Sequence, residues 1–222
     1  MIYRKLWIGI LSVPKTIYVN FSSFPLRIAL KIPLYVRYNA TVNICGTINI
    51  DTPIKRGMVH IGFNEHPCCN NCDKSILIIE KGGQVTIKGR LFLGNGCKLI
   101  IHSGGIVTFG DYVRSTGSTA IECFKKIVFG NDVLFSWDCL VMDSDSHLIY
   151  SPEGGVLNED ATIQIGNSVW VGCRCVILKG SSIPSNSVIA SCTVVTKGDL
   201  RENSIVAGIP AKSVKDIGYW KA

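Results

Sequence analysis

The sequence has little charge and lacks long runs of basic or apolar residues. Only 18% of its 222 residues are charged, and no run of Lys and Arg exceeds two residues although the net charge is +7. Nucleic-acid binding is therefore disfavoured, whereas a phosphate-bearing cofactor or an anionic membrane surface suits the charge. The apolar stretch from Leu6 to Val13 ends at Pro14, well short of the roughly 20 residues that cross a bilayer. We expect neither a transmembrane helix nor a signal peptide, and a cytoplasmic location.

Ten cysteines are present, but the chain is not short and has no clear signal peptide, so a secreted disulfide framework is not expected. Cys69 and Cys72 have the spacing of zinc ligands, and Cys68, His60 or His66 could complete a set of four. The pattern lacks the second Cys pair that zinc sites of this kind use. We therefore predict free thiols in this loop and no metal.

A six-residue period runs from Ile165 to Leu200 and is the strongest signal in the sequence. Every hexapeptide opens with Ile or Val, and the fifth position is nearly always small. The openers are Ile165, Val171, Ile177, Ile183, Ile189 and Val195. A period of six matches neither an amphipathic helix nor a half-buried strand. It predicts a solenoid of short strands and turns, with three sides to each coil and two coils in this run.

The same pattern recurs less regularly upstream and sets the expected domain boundaries. We predict a solenoid over residues 38–200, with an excursion loop at about 143–161 where the repeat lapses into polar residues. Residues 1–37 and 201–222 would form short helical caps, with a C-terminal helix near Lys212 to Ile217. Pro14 and Pro25 would divide the N-terminal cap into short helices, which either cover the sheet edge or rest on the inner face of a membrane as a basic amphipathic surface.

The hexapeptides, followed by Ala207-Gly208-Ile209-Pro210-Ala211-Lys212, resemble the end of the hexapeptide-repeat acyltransferases. The similarity is greatest to the maltose and galactoside O-acetyltransferase branch and to O-acetyltransferases of surface-polysaccharide synthesis, whose N-terminal region the segment from Asn20 to Pro33 also resembles. The resemblance implies an all-β chain folded as a left-handed parallel β-helix. Because other enzymes carry this fold, the function depends on the residues of the site.

The resemblance assigns the catalytic base to His147, in the segment Met142-Asp143-Ser144-Asp145-Ser146-His147. A histidine can take the proton from a sugar hydroxyl near neutral pH. Asp145, or else Asp143, would orient its ring, and Asp143 could instead contact the acceptor. The asparagine that galactoside-type relatives place near the acceptor is replaced here by Ser118, which puts a simple sugar acceptor in doubt.

The family's coenzyme A groove runs along the C-terminal coils between adjacent subunits. Carried over by position, its contacts are Trp170, Cys173, Ser191, Thr196, Lys197 and Lys212. The resemblance therefore implies a homotrimer that transfers an acetyl group from acetyl-CoA to a sugar hydroxyl of a cell-surface polysaccharide, such as lipopolysaccharide or capsule, or of its precursor. Two alternatives remain open, a non-catalytic scaffold or binding module and a metal enzyme resembling the carbonic anhydrases.

Overall fold

A computed structural model describes residues 2–70 and 72–221 of the chain. Their strands form three sheets, named A, B and C, that make the three sides of a prism. Sheet A contains β1 (Leu34–Val36), β4 (Val59–Ile61), β7 (Leu91–Asn95), β10 (Val113–Gly117), β13 (Leu134–Trp137), β16 (Trp170–Val171), β19 (Val188–Ile189), β21 (Ser204–Ala207) and β22 (Lys212–Asp216). Sheet B contains β2 (Thr41–Ile44), β5 (Ile76–Ile79), β8 (Lys98–Ile101), β11 (Ala120–Cys123), β14 (Leu140–Met142), β17 (Val176–Leu178) and β20 (Val194–Val195). Sheet C contains β3 (Thr47–Ile50), β6 (Gln84–Ile87), β9 (Ile106–Phe109), β12 (Lys126–Phe129), β15 (Ile163–Ile165) and β18 (Ser182–Ile183).

Each strand from β1 to β17 pairs in parallel with the strand three positions later, so the chain winds as the predicted left-handed parallel β-helix. The six hexapeptide openers are at most 1% exposed and fill the prism. Burying an aliphatic side chain of this size contributes roughly 1.5–3 kcal/mol. The fifth-position residues are buried too, except Asp199, which is exposed after the last regular turn.

The N-terminal segment differs from the prediction of short helices broken at Pro14. Helix α1 (Ile2–Ser23) runs through Pro14, and a single turn, α2 (Leu26–Ala29), follows it. Pro14 is exposed, and the residues on either side of it are held to the coil by Ser12 and Thr16. These contacts keep one helix axis despite the missing N–H of the proline.

Three polar side chains on one face of α1 bind backbone groups along the free edge of β1 and at Tyr38, two residues beyond it. The Ser12 hydroxyl accepts from the N–H of Tyr38 at 3.0 Å, and the Thr16 hydroxyl accepts from the N–H of Val36 at 3.0 Å and donates to its carbonyl. The side-chain amide of Asn20 accepts from the N–H of Leu34 and donates to the carbonyl of the same residue. The side chains repeat every four residues along a helix and reach alternate residues of a strand, because both spacings are about 6–7 Å.

Both expected ends of the solenoid require correction. Its first strand, β1, begins at Leu34 rather than near Tyr38. At the other end β21 extends sheet A beyond Leu200 by pairing with β19. The helix predicted near Lys212 to Ile217 is wrong, because that segment is strand β22, antiparallel to β21. An added strand satisfies the open backbone groups of β21, which a helix would leave unpaired.

Candidate active site

Residues 143–162 leave the coil between β14 and β15 and form an excursion loop that presents His147. Asn158 holds the two arms of this loop together. Its side-chain amide donates to the Asp145 carboxylate and to the His147 carbonyl, both at 2.8 Å, and its oxygen accepts from the N–H of Ile149 at 2.6 Å. All of the hydrogen-bonding groups of the Asn158 side chain act locally, so the loop has a defined shape.

Lys179, which follows β17 on the next coil, anchors the loop to the solenoid. Its ammonium group lies 2.6 Å from the Asp145 carboxylate and 2.6 Å from the carbonyl oxygen of Asn158. The hydrogen bond from Lys179, and then that from Asn158, holds the pKa of the Asp145 carboxyl below its ordinary value. Asp145 is therefore a charged tether of the loop.

The imidazole of His147 is exposed and makes no side-chain hydrogen bond within residues 2–70 and 72–221. Its position is set through its own carbonyl, which Asn158 binds. Neither carboxylate expected to orient the ring bonds to it in this chain. Asp145 is bound to Lys179 and Asn158, and Asp143 is bound elsewhere.

Asp143 is fully buried and completes a corner of the preceding coil. Its carboxylate accepts from the N–H groups of Phe124, Lys125 and Lys126 at 2.7, 2.9 and 2.6 Å, and lies 3.4 Å from the thiol of Cys123. These amides belong to the turn between β11 and β12 and to the first residue of β12. In the next coil, the excursion loop replaces the corresponding turn. Asp143 thus supplies the acceptors that this turn would have provided, which is a structural role.

The residues proposed from the sequence occupy two different corners of the prism. Asp143, Asp145, His147, Thr196 and Lys197 follow strands of sheet B, at the corner leading to sheet C. A second group follows strands of sheet A, at the corner leading to sheet B: Ser118, Cys173 and Ser191. Within one chain, the two groups lie on separate edges.

Two tryptophans mark the sheet A side of this second group. Trp170 is 39% exposed and its indole N–H donates to the Ser136 hydroxyl at 3.3 Å. The ring of Trp220 lies 6.1 Å from it, and its own N–H donates to the carbonyl of Ser168 at 2.6 Å. Trp220 was missed in the sequence because it lies outside the repeat and in the short C-terminal segment.

Cys173 and Ser191 stack on successive coils, and the thiol donates to the hydroxyl at 3.4 Å. Lys212 is exposed on β22. The residue before it, Ala211, donates its N–H to the carbonyl of Val194, and Val194 is the first residue after the same corner. Lys212 therefore lies at the end of the corner that carries Cys173 and Ser191.

Thr196 and Lys197 close the sheet B end of the corner occupied by the loop. Lys197 is exposed and lies beside Gly180, the residue after Lys179. Two lysines therefore flank the base of the excursion loop. Lys179 is paired with Asp145, so Lys197 is the one placed to bind anionic groups such as phosphates.

Ser118 lies beneath the cysteine-containing loop rather than near His147. Its backbone φ is +48°, and it lines a cavity of about 320 Å³ with Asp73 and Lys74. Cys69 is buried against it, and this burial raises the pKa of the Cys69 thiol despite a hydrogen bond from Ser118.

The cysteines offer neither a metal centre nor an interior nucleophile in the described part of the chain. No group of three His, Cys, Asp or Glu is placed to hold a metal there, and Cys68 and Cys72 are exposed free thiols. Burial raises the pKa of the Cys139 thiol to about 12, and also raises that of Cys123. Thiols held in this state are inert as nucleophiles.

A groove of about 400 Å³ lies on sheet A and contains none of the catalytic, donor-binding or acceptor-binding residues proposed from the sequence. Its walls include His60, Phe92 and Arg114, which occupy the same outward register position on successive strands. His60 stacks on Tyr35 with ring centroids 5.2 Å apart, and its burial lowers its pKa. The groove is an aromatic seam of the sheet and is separate from the loop that carries His147.

Asn158 and Lys179 were not found from the sequence. Lys179 occupies the third place of a hexapeptide, which faces outward and tolerates most residues, and Asn158 is one of several polar residues in the loop. No periodicity links them, because the contact joins a loop to a corner on the next coil. The feature that could have drawn attention to Lys179 is its position directly after an apolar strand, beside the glycine of the turn.

Comparisons with known proteins agree with this fold. The chain is 26% identical over 151 residues to an Escherichia coli K12 protein whose name assigns it to lipopolysaccharide biosynthesis as an O-acetyl transferase; the match covers 64% of this chain and 76% of that protein. It is 44% identical over 55 residues to the galactoside O-acetyltransferase of Escherichia coli K12, covering 25% of this chain and 27% of that enzyme. No protein-family model matches the chain.

Among solved structures, the chain is similar to the polySia-specific acetyltransferase NeuO. The TM-score is 0.54 at 24% sequence identity, and the match covers 85% of this chain and 82% of that structure. This likeness extends over most of the chain and supports the fold.

Proposed function

We propose that this chain, a member of the hexapeptide-repeat acyltransferases, transfers an acetyl group from acetyl-CoA to a sugar hydroxyl of a cell-surface polysaccharide or its precursor. The observation that carries the proposal is the presentation of His147 on a loop that Asn158 and Lys179 fix to the solenoid. A free imidazole on a rigid support is what a general base for an alcohol requires.

The reaction is a direct transfer. The neutral ring of His147 accepts the proton of the sugar O–H as the oxygen attacks the thioester carbonyl carbon. The tetrahedral intermediate, stabilised by a backbone N–H, collapses with cleavage of the C–S bond. The thiolate takes the proton from the imidazolium, so the products are an ester and free coenzyme A. No acyl-enzyme on a buried cysteine is required, in keeping with the raised pKa of Cys123 and Cys139.

The donor would lie along the C-terminal coils, against Trp170, Cys173 and Ser191. Its negatively charged phosphates would be bound by Thr196, Lys197 and Lys212. The positive net charge of the chain, +7, suits such a ligand. Support for this placement comes from the exposure of Ser191, Lys197 and Lys212.

A homotrimer would bring the two groups of residues together. His147 and the corner that carries Cys173 lie on separate edges of one prism, so a neighbouring copy is needed to place them across one cleft. Four large apolar residues exposed on the excursion loop would contact that neighbour: Leu148, Ile149, Tyr150 and Leu157. A ring with threefold symmetry repeats such a contact and closes.

The acceptor class is supported by the relative named for lipopolysaccharide biosynthesis, of which this chain covers 76%. Ser118, half-buried beneath the loop of Cys69, does not offer the asparagine contact of galactoside-type enzymes. A larger glycan or lipid-linked precursor therefore suits this chain better than a free monosaccharide. We place the enzyme at the cytoplasmic face of the membrane, where such precursors are assembled.

The test is release of coenzyme A thiol from acetyl-CoA, measured across a panel of nucleotide sugars and lipid-linked glycans. With the acceptor that supports turnover, His147→Ala should lower kcat on the order of 10²- to 10⁴-fold. The fold should persist, since the ring makes no hydrogen bond in the described chain.

His60→Gln is the matched histidine control, because His60 lies in the aromatic seam of sheet A. It should keep the wild-type rate. If His147→Ala turns over at the wild-type rate, His147 is not the base. If no acceptor supports thiol release and acetyl-CoA does not raise Tm, the results would favour the non-catalytic scaffold.

A further inference from the structure

Helix α1 has its polar side turned inward and its apolar side turned outward. Its buried polar residues are Ser12, Thr16 and Asn20, all at most 8% exposed. Its outward side presents eight large apolar residues, each at least 44% exposed: Leu6, Trp7, Ile10, Leu11, Val13, Ile17, Tyr18 and Phe21. This arrangement is the reverse of an ordinary surface helix, which turns its apolar side toward the core.

The helix cannot rotate to bury this face within its own chain. The inward side chains supply the donors and acceptors that complete the edge of β1, and Asn20 alone makes two bonds to the backbone of Leu34. Rotation would leave those backbone groups buried and unpaired. The apolar face is thus a fixed outer surface of the protein.

This surface continues onto the turn that follows. Leu26 and Leu30, 64% and 60% exposed, extend it past the end of α1. Contiguous apolar patches of this size are rare on the surfaces of monomeric soluble proteins and mark contact with a membrane or a partner.

The charge around the face favours one occupant. The first 50 residues contain no Asp or Glu but six Lys and Arg, of which Arg4 and Arg37 form salt bridges with Glu65. Arg27 and Lys31 are exposed beside Leu26 and Leu30, and neither forms a salt bridge in the described part of the chain. An isologous contact with a second copy would join two such segments, neither of which carries an Asp or Glu. An anionic lipid surface would attract them.

We infer that α1 lies in the plane of an anionic bilayer, with its outward apolar residues among the acyl chains and Arg27 and Lys31 at the headgroups. Trp7 and Tyr18 are suited to the interface, where aromatic side chains with a polar atom concentrate. In the described residues, no helix combines the length and apolar character needed to cross a membrane. The inference rests on the proposed place of action and not on acyl transfer itself.

The test is co-flotation of the full chain with vesicles of phosphatidylcholine alone or mixed with phosphatidylglycerol. The wild type should bind the mixed vesicles and lose binding as salt is raised. Trp7→Glu combined with Ile10→Glu should weaken binding at least about tenfold. The matched control is Ile209→Glu with Val214→Glu, which alters two apolar residues of similar exposure at the other end of the solenoid. This control should bind as the wild type does.

The role of the charge is tested by the double variant Arg27→Glu with Lys31→Glu, which should not bind the vesicles. Its control is Lys81→Glu with Lys88→Glu, which changes the net charge equally and should still bind. Insertion is tested without introducing charge. Brominated acyl chains should quench tryptophan fluorescence of the wild type and of Trp220→Phe, and quench Trp7→Phe much less.

Several results would overturn the inference. One is that the wild type does not bind anionic vesicles, and another is that the control variants lose as much binding as the test variants. A third is that the wild type does not bind vesicles and the Trp7→Glu variant differs from it in oligomeric mass, which would assign the face to a second copy. Thiol release with a water-soluble acceptor is measured on the same variants. An enzyme that is active but does not float separates failure of the membrane inference from failure of the proposed function.

Discussion

The ammonium group of Lys179 lies 2.6 Å from the carboxylate of Asp145 and ties the excursion loop to the coil above it. The same ammonium group binds the carbonyl of Asn158, whose side chain holds the backbone of His147. The position of the proposed base therefore depends on a short chain of contacts that ends at the turn directly after β17. Removing one link should displace the base without affecting the solenoid.

Lys179→Met tests this chain of contacts. We expect kcat to fall about 10- to 100-fold, since small displacements of a catalytic group have effects of that size. Tm should change little, because an ion pair with a half-exposed partner contributes little stability. The measurements are kcat, Tm and the rate of chymotrypsin cleavage in the loop, which should rise. Lys81→Met, an exposed lysine on another coil, should leave all three unchanged.

The same tether should depend on pH. Because the folded-state pKa of Asp145 is lowered, chiefly by Lys179, its contribution is present above the unfolded-state pKa and is lost as the pH falls through the folded-state value. Amide exchange at Ile149, whose N–H donates to Asn158, should therefore lose protection in the acid range. Asp145→Asn should lack that transition and show weak protection at neutral pH. An identical acid transition in both proteins would contradict this account.

Asp143→Asn tests the structural role of the other carboxylate. An amide cannot accept all three N–H bonds from residues 124–126 and would place a donor against one of them. We expect the free energy of unfolding to fall by about 2–4 kcal/mol. Urea denaturation gives the value, and Asp51→Asn, at an exposed position, is the control. Unchanged stability with a large loss of kcat would instead give Asp143 a direct catalytic role.

The sequence predicted the solenoid well because its core obeys a period. The first residues of the six hexapeptides, from Ile165 to Val195, all point into the prism. Their burial therefore appears in the sequence as an Ile or Val at every sixth position. The excursion loop was visible for the same reason, as a lapse in that rhythm. The coil-to-loop contacts were not, because Asn158 and Lys179 meet only after the chain has wound a further side of the prism.

The ends of the chain were predicted less well because their structure depends on edges rather than on a period. A proline and a mixed apolar segment suggested short helices, whereas bonds to β1 on both sides of Pro14 keep α1 continuous. The spacing of Ser12, Thr16 and Asn20 at four residues was a readable signal of a polar helix face. At the C-terminus, the need to pair β21 outweighed any helical tendency.

Thr16→Val tests the cap on the first coil. The substitution keeps the shape of the side chain but leaves the N–H and the carbonyl of Val36 without partners. We expect a loss of about 1–3 kcal/mol in the free energy of unfolding. Ser22→Ala, on the exposed side of the same helix, should cost far less. Urea denaturation measures both changes. Equal effects of the two substitutions would mean that the hydrogen bonds from Thr16 to Val36 do not contribute to stability.

The separation of His147 from the corner that carries Ser191 predicts complementation between inactive chains. His147→Ala removes the base, and Ser191→Trp fills the proposed donor groove at an exposed position. In the proposed homotrimer, either variant alone should be inactive. If each site uses His147 of one subunit and the groove of its neighbour, trimers assembled from equal amounts of the two variants contain about a quarter of sites with both parts intact.

The measurement is thiol release by trimers refolded from the mixed variants, compared with the same proteins mixed after folding. Activity should appear only in the refolded mixture, because exchange of subunits is needed to pair an intact base with an intact groove. The double variant refolded with an equal amount of wild type is the reference, because about a quarter of its sites should be intact if two subunits share each site, and about a half if one chain supplies the whole site. Recovery that is absent although mixed trimers form would mean that one chain supplies the whole site. The base and the donor would then have to meet across a single prism, which the two separate corners of this fold do not allow without movement of the loop.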